Sequence, residues 1–204
     1  MKEKAANSNP ILAFASEASW ANWLRKNFDI SQGVWLRLAK KGSGVKSVSF
    51  SDALDMALCY GWITGQARGE TESTWLSRFL PRSDGSIWSK INRDRAIALI
   101  RKGKMKPAGL AAIERAKQNG QWEKAYDSPK TATVPPDLKK ALDASPRANA
   151  FFKTLDSANR YAILWRIQTA KKPEARVRKI QDCVAMLEKQ KTFHPRRRNS
   201  RSSR

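Results

Sequence analysis

Between Ala57 and Asn92 the chain sets Trp, Arg, Lys and Asn around two sharp reversals, and no other stretch narrows the possible fold as much. Leu54, Leu58 and Tyr60 mark an amphipathic helix capped by Ser49 or Ser51, and Gly61 takes the position just past its end, where a left-handed backbone costs glycine little. Two strands are expected next, near Trp62–Arg68 and Trp75–Leu80. Pro81 stops the second, because proline has no N–H to give a ladder. Ser86 is then expected to cap a helix from Ile87 to Lys102, closed by Gly103. Polar groups among so many tryptophans are costly to bury unless each finds a partner, so this run builds either a polar core or a pocket.

The flanking sequence reads in the same terms. Ser16 caps a first helix whose Trp20, Trp23 and Leu24 share one face. Val34, Leu36 and Leu38 alternate with Trp35, Arg37 and Ala39, the period of a strand. Lys40-Lys41-Gly42-Ser43-Gly44 is a basic turn. Pro107 opens a helix that Gly120 closes. Asp127–Pro136 has linker composition, and beyond it everything reads helical, with Pro136, Pro146 and Pro173 at helix starts. Val177, Ile180, Val184 and Leu187 form one apolar stripe. Residues 1–10 and Phe193–Arg204 show no periodicity and are expected to be disordered. The organisation expected is an α+β domain over 11–126, a linker over 127–136, a helical domain over 137–190 and a basic tail over 191–204.

The 204 residues suffice for one large domain or two small ones with a real core. No run approaches the about 20 apolar residues of a membrane span, and the first ten residues lack the apolar stretch of a signal peptide, so a cytoplasmic protein is expected. Cys59 and Cys183 make neither a metal motif nor a disulfide framework and read as reduced core cysteines. The net charge is +22. Subtracting the seven cations of residues 189–204 leaves +15 on the rest, so the excess belongs to the whole body. Such charge favours anionic partners.

The order of several short motifs points to a family. Trp20-x-x-Trp23-Leu24, Gly33-Val34-Trp35-Leu36, Lys40-Lys41, Ala57-Leu58-Cys59-Tyr60-Gly61-Trp62-Ile63, Pro81-Arg82, Trp88-Ser89-x-x-Asn92, Gly103-x-Met105 and Gly120-x-Trp122 follow one another as in the bacterial YdeI/OmpD-associated (OmdA-like) proteins. The chain resembles that family over roughly residues 11–190, and Ala170–Ile180 resembles its bacteriocin-protection segment. The resemblance implies an α+β part similar to the YjbR/CyaY-like fold, a small antiparallel sheet with helices on one face. It also implies a link to bacteriocin or envelope-stress tolerance. Thr64 stands where the family usually has Asp, and Ala175 where it usually has Thr.

Catalysis finds little to stand on. The single histidine, His194, falls in the basic tail, so no Ser/His/Asp or Cys/His set can be drawn; an enzyme would need an unsuspected acid or base among Asp52, Asp55 and Asp94. No metal-ligand spacing occurs, the acids are too few for an iron-binding ridge, and no cofactor is expected. A ligand site is expected from Lys40, Lys41, Trp62, Arg82, Trp88 and Asn92, with aromatic walls and a cationic end for a carboxylate or phosphate of a small molecule or protein partner. The alternative partner is non-specific nucleic acid, met by Lys171, Lys172, Arg176, Arg178 and Lys179 on the helical part and by Arg196, Arg197 and Arg198 in the tail.

Overall fold

The chain enters its sheet early. Ile11–Ala13 is strand β1 and pairs parallel with β2 (Val34–Ala39). The computed structural model describes residues 9–195, and the chain divides into two units, one ending at Ala125 and one beginning at Tyr126.

In the first unit, α1 (Glu17–Asn27) starts at a full capping box between Ser16 and Ser19. After β2 comes α2 (Phe50–Cys59), whose Ser49 side chain accepts from the Asp52 backbone N–H. Gly61 turns the chain at φ 74° into β3 (Trp62–Gly69), which pairs antiparallel with β4 (Thr74–Pro81). The strand order is β1-β2-β4-β3. The class is α+β, and the sheet is mixed rather than wholly antiparallel, because β1 joins β2 in parallel. The pairing slips between Thr64 and Ala67, a bulge of the kind that bends an edge strand.

The next helix starts later than Ser86. Ser89 is the cap, its Oγ accepting from the Asn92 backbone N–H, and α3 runs Lys90–Arg101. Ile87 and Trp88 stay outside the helix, which lets Trp88 turn inward and be buried. Pro107 opens α4 (Pro107–Gln118).

One core joins the inner sheet face (Val34, Leu36, Leu38, Phe79) to Trp20, Leu24 and Trp62. Trp20 and Trp23 stack with centroids 5.4 Å apart, and both meet Trp62 edge-on. The buried indole N–H groups are satisfied: Trp20 donates to the Ala53 carbonyl at 3.1 Å and Trp62 to the Phe28 carbonyl at 3.0 Å. These tryptophans therefore carry a large apolar area into the core without an unpaired donor.

The second unit is helical: α5 (Pro136–Asp143), α6 (Pro146–Lys153), α7 (Ser157–Gln168) and α8 (Pro173–Glu188) around Leu138, Leu142, Phe152, Ile163, Ile167 and Leu187. On α8 the apolar stripe runs through Ile180, Cys183 and Leu187 with Val184 half-buried, while Val177 lies outside it, 56% exposed. The 127–136 stretch is tied to this unit. The Asp127 carbonyl accepts from the Tyr161 hydroxyl, its N–H donates to Gln168 Oε1, and its carboxylate accepts from the Gln168 amide. Residues 193–195 are anchored as well, contrary to the disorder expected there. Arg166 lies over the Phe193 ring at 3.8 Å, and the buried Asn159 side chain pairs with both the N–H and the carbonyl of His194.

Candidate functional site

Tyr60 and Gly61 sit where the end of α2 meets the start of α4, and the contact is unusually close. The Lys106 N–H donates to the Cys59 carbonyl at 3.2 Å. Gly109, one turn further on, lies so near that a Cβ there would meet the carbonyls of Leu58 and Cys59 and the Met105 sulfur. The electron-rich C-terminus of α2 thus faces the first turn of α4, a favourable pairing of opposite helix ends. It also fixes Tyr60 beside one face of α4.

Two adjoining clefts result, and Tyr60 lines both. The larger, about 430 Å³, lies between Glu17, Asn22 and Arg25 of α1, Met56 and Tyr60 at the end of α2, and Lys104 and Lys106 in the turn before α4. That volume is in the range of small-molecule sites. Gly103, at φ 65°, makes the turn that brings Lys104 and Lys106 to the rim. The smaller cleft, about 180 Å³, has Phe28, Tyr60, Trp62 and Pro81 on one side and Ala108, Ala111 and Arg115 of α4 on the other, with Arg82 at its floor. Ala108, Ala111 and Arg115 share one helical face. Arg25, Lys104, Lys106, Arg82 and Arg115 thus line one groove, against Glu17.

The residues expected to form a pocket divide. Trp62 is 1% exposed and belongs mainly to the core, touching the smaller cleft at its edge. Arg82 and Trp88 are together, the guanidinium carbon 3.5 Å from the ring centroid. Arg82 also donates to the Ile87 carbonyl at 3.3 Å, and Trp88 meets Trp122 edge-on. The gap beside them measures only about 10 Å³, room for no more than one water. The Arg82–Trp88 pair is therefore a packed joint, and the roomier space that Arg82 lines is the cleft with Tyr60 and Ala108. Asn92 lies on the first turn of α3 and lines none of these clefts. Lys40 and Lys41 follow β2 at its Ala39–Thr74 end, where the Lys40 ammonium donates to the Thr71 carbonyl. Arg82 follows the opposite end of β4, so the sheet separates these lysines from it.

The cations that line the groove, Arg25, Lys104, Lys106 and Arg115, did not stand out in the sequence. One signal did exist. Gly109 interrupts a helix at a cost of about 1 kcal/mol relative to alanine, and such a glycine marks a close backbone approach. Arg115 carries no comparable mark. It reaches Asp84, Nε to Oδ1 at 3.5 Å with both side chains exposed, and Asn119 of the same helix donates to the Asp84 carbonyl.

Cys59 lies buried behind this site, and burial, with the Asp55 charge second, pushes its thiol up to about 11. At neutral pH it is a protonated core thiol and a poor nucleophile.

The basic residues of the helical unit also divide. Arg176 forks onto the Asp137 carboxylate, Nε to Oδ2 at 2.6 Å and Nη2 to Oδ1 at 3.0 Å, and donates to the Ile167 carbonyl. Lys179 donates to the Arg166 carbonyl near the end of α7. Both serve the bundle, whereas Lys171, Lys172 and Arg178 are exposed. Arg196, Arg197 and Arg198 lie outside the described residues.

Residues 131–190 match the family described as bacteriocin-protection, YdeI or OmpD-associated. Residues 12–112 match the domain of unknown function DUF8412. No curated protein and no solved structure matches the chain.

Proposed function

We propose that the protein binds a small organic anion, carboxylate or phosphate, in the groove around Tyr60, and that it is a binding protein rather than a catalyst. One observation carries the reading: five cations and one carboxylate line two adjoining clefts with an aromatic side chain between them. Lys104, Lys106 and Arg25 meet the charged group, while Met56, Tyr60 and Phe28 pack against an apolar or aromatic remainder. Arginine and lysine differ here, since Arg115 offers a planar fork and Lys104 a mobile point charge.

The reading also makes this a cytoplasmic protein that supports tolerance of bacteriocin or envelope stress. Support for that part is the description of the family that residues 131–190 match. Among the described residues no helix is long and apolar enough to cross a membrane.

Thermal unfolding in the presence of phenyl phosphate, inorganic phosphate and succinate tests the binding. A ligand that binds only the folded chain raises Tm with concentration. Phenyl phosphate is expected to raise it most. The Lys104→Ala/Lys106→Ala double variant and the Arg115→Ala variant, all exposed positions, are expected to fold normally and lose at least half of that rise. An equal rise in the variants sinks the groove as the site.

A further inference from the structure

The sheet has a second face, opposite the one whose Val34, Leu36, Leu38 and Phe79 enter the core. Its side chains follow from the register. Ala13, Arg37, Leu76 and Arg68 form one cross-strand row, and Ile11, Trp35 and Arg78 the next. Residues of such a row project from the same side of the sheet. Arg68 reaches diagonally over the Trp35 ring, its guanidinium carbon 4.4 Å from the centroid. Leu76 is only 2% exposed, although it lies on this outward face between Arg37 and Arg68 of its row. Arg37 forks onto Glu70, with its shortest contact at 2.6 Å, and Arg78 donates to the Asn9 side chain at 2.8 Å. Lys40 and Lys41 stand at the end of the same strands.

We propose that this open face binds single-stranded nucleic acid. Three arginines and one partly exposed tryptophan on a four-stranded surface supply both elements such a ligand requires. Planar groups accept stacked bases, and fixed cations follow the phosphates. The exposed Arg68 guanidinium, already held over the Trp35 ring, is a stacking platform for a base. Arg78, Lys40 and Lys41 lie along the strands to meet phosphates on either side. Glu70, in the turn between β3 and β4, is taken by Arg37, which depresses its carboxyl chiefly through that hydrogen bond. Duplex is a poorer fit, since its bases are stacked internally and offer no face to Trp35 or Arg68. The face is separate from the groove around Tyr60, so the two proposals stand or fall independently.

The test is fluorescence anisotropy of a labelled 15-mer oligo-dT with the full-length chain at low salt, beside a duplex of equal length and a polyglutamate competitor. The single strand is expected to bind more tightly than the duplex and to weaken steeply with salt. Arg68→Glu is expected to weaken it about tenfold, the size of one lost base stack, and Trp35→Phe to reduce the accompanying fluorescence quenching. Arg68 is exposed, so its replacement leaves the fold intact, which far-ultraviolet circular dichroism checks. The Lys171→Ala/Lys172→Ala/Arg178→Ala variant of the helical unit is expected to bind within twofold of the parent. Unchanged binding by Arg68→Glu overturns the proposal. So does loss of binding in the helical variant, or displacement by polyglutamate as effective as by unlabelled oligo-dT, which would mean general polyanion attraction.

Discussion

Gly61 shows how one residue positions the groove. Its φ of 74° lies in the left-handed region, and a Cβ on it would stand 2.8 Å from the Ala108 carbonyl oxygen. Gly61→Ala therefore adds backbone strain to overpacking against α4, for a loss of about 2–5 kcal/mol. A urea titration followed by tryptophan fluorescence is the check, because seven of the eight tryptophans lie before residue 126. A shift equivalent to less than about 0.5 kcal/mol, the range of ordinary surface substitutions, would mean that α4 does not press on the α2 end. The glycine itself was legible in the sequence, standing after an apolar helix and before a tryptophan strand. Its contact with Ala108 was not, since only tertiary packing brings α4 there. Trp62 and Trp88 were legible as landmarks. Whether they line space or fill it depended on Phe28 and Trp122, residues distant in the chain whose contacts leave no local pattern.

At the scale of elements, the alternation of Val34–Ala39, the caps at Ser16 and Ser49 and the prolines opening α4, α5, α6 and α8 were all readable, because each rests on local chemistry. Strand β1 is three residues long, too short for a period to show. The start of α3 was misplaced because Ser86 and Ser89 are equal candidates by type, and the burial of Trp88 selects Ser89. The tie between α5 and α8 carries a pH prediction. The Arg176 hydrogen bonds hold the Asp137 carboxyl below its usual range. A carboxyl depressed in the folded state contributes stability above its unfolded value, about 3.9 for Asp. That contribution fades as pH falls through the folded value. The pair is partly exposed, so the effect is modest. Denaturation of the helical unit, followed through Trp165, its one tryptophan, is expected to weaken below about pH 4. Asp137→Asn is expected to start weaker at pH 7 and to lose part of that acid slope. An unchanged slope in Asp137→Asn contradicts the assignment.

For the whole molecule, a charge of +22 spread over both units draws anions from a distance without choosing where they settle. Choice comes from shape. An anionic partner is expected from composition alone, whereas the groove that concentrates Arg25, Lys104, Lys106 and Arg115 around Tyr60 arises only when α1, α2 and α4 meet. Long-range attraction is screened by salt within about 8 Å at physiological ionic strength, so a ligand held by the groove should survive conditions that remove diffuse binding. The most direct measurement is a heteronuclear NMR titration of the full-length protein with phenyl phosphate at physiological salt. The account predicts saturable shifts concentrated at Arg25, Tyr60, Gly103, Lys104 and Lys106, extending to Ala111 and Arg115. Shifts scattered over exposed lysines and arginines of both units, with no saturation, would contradict it.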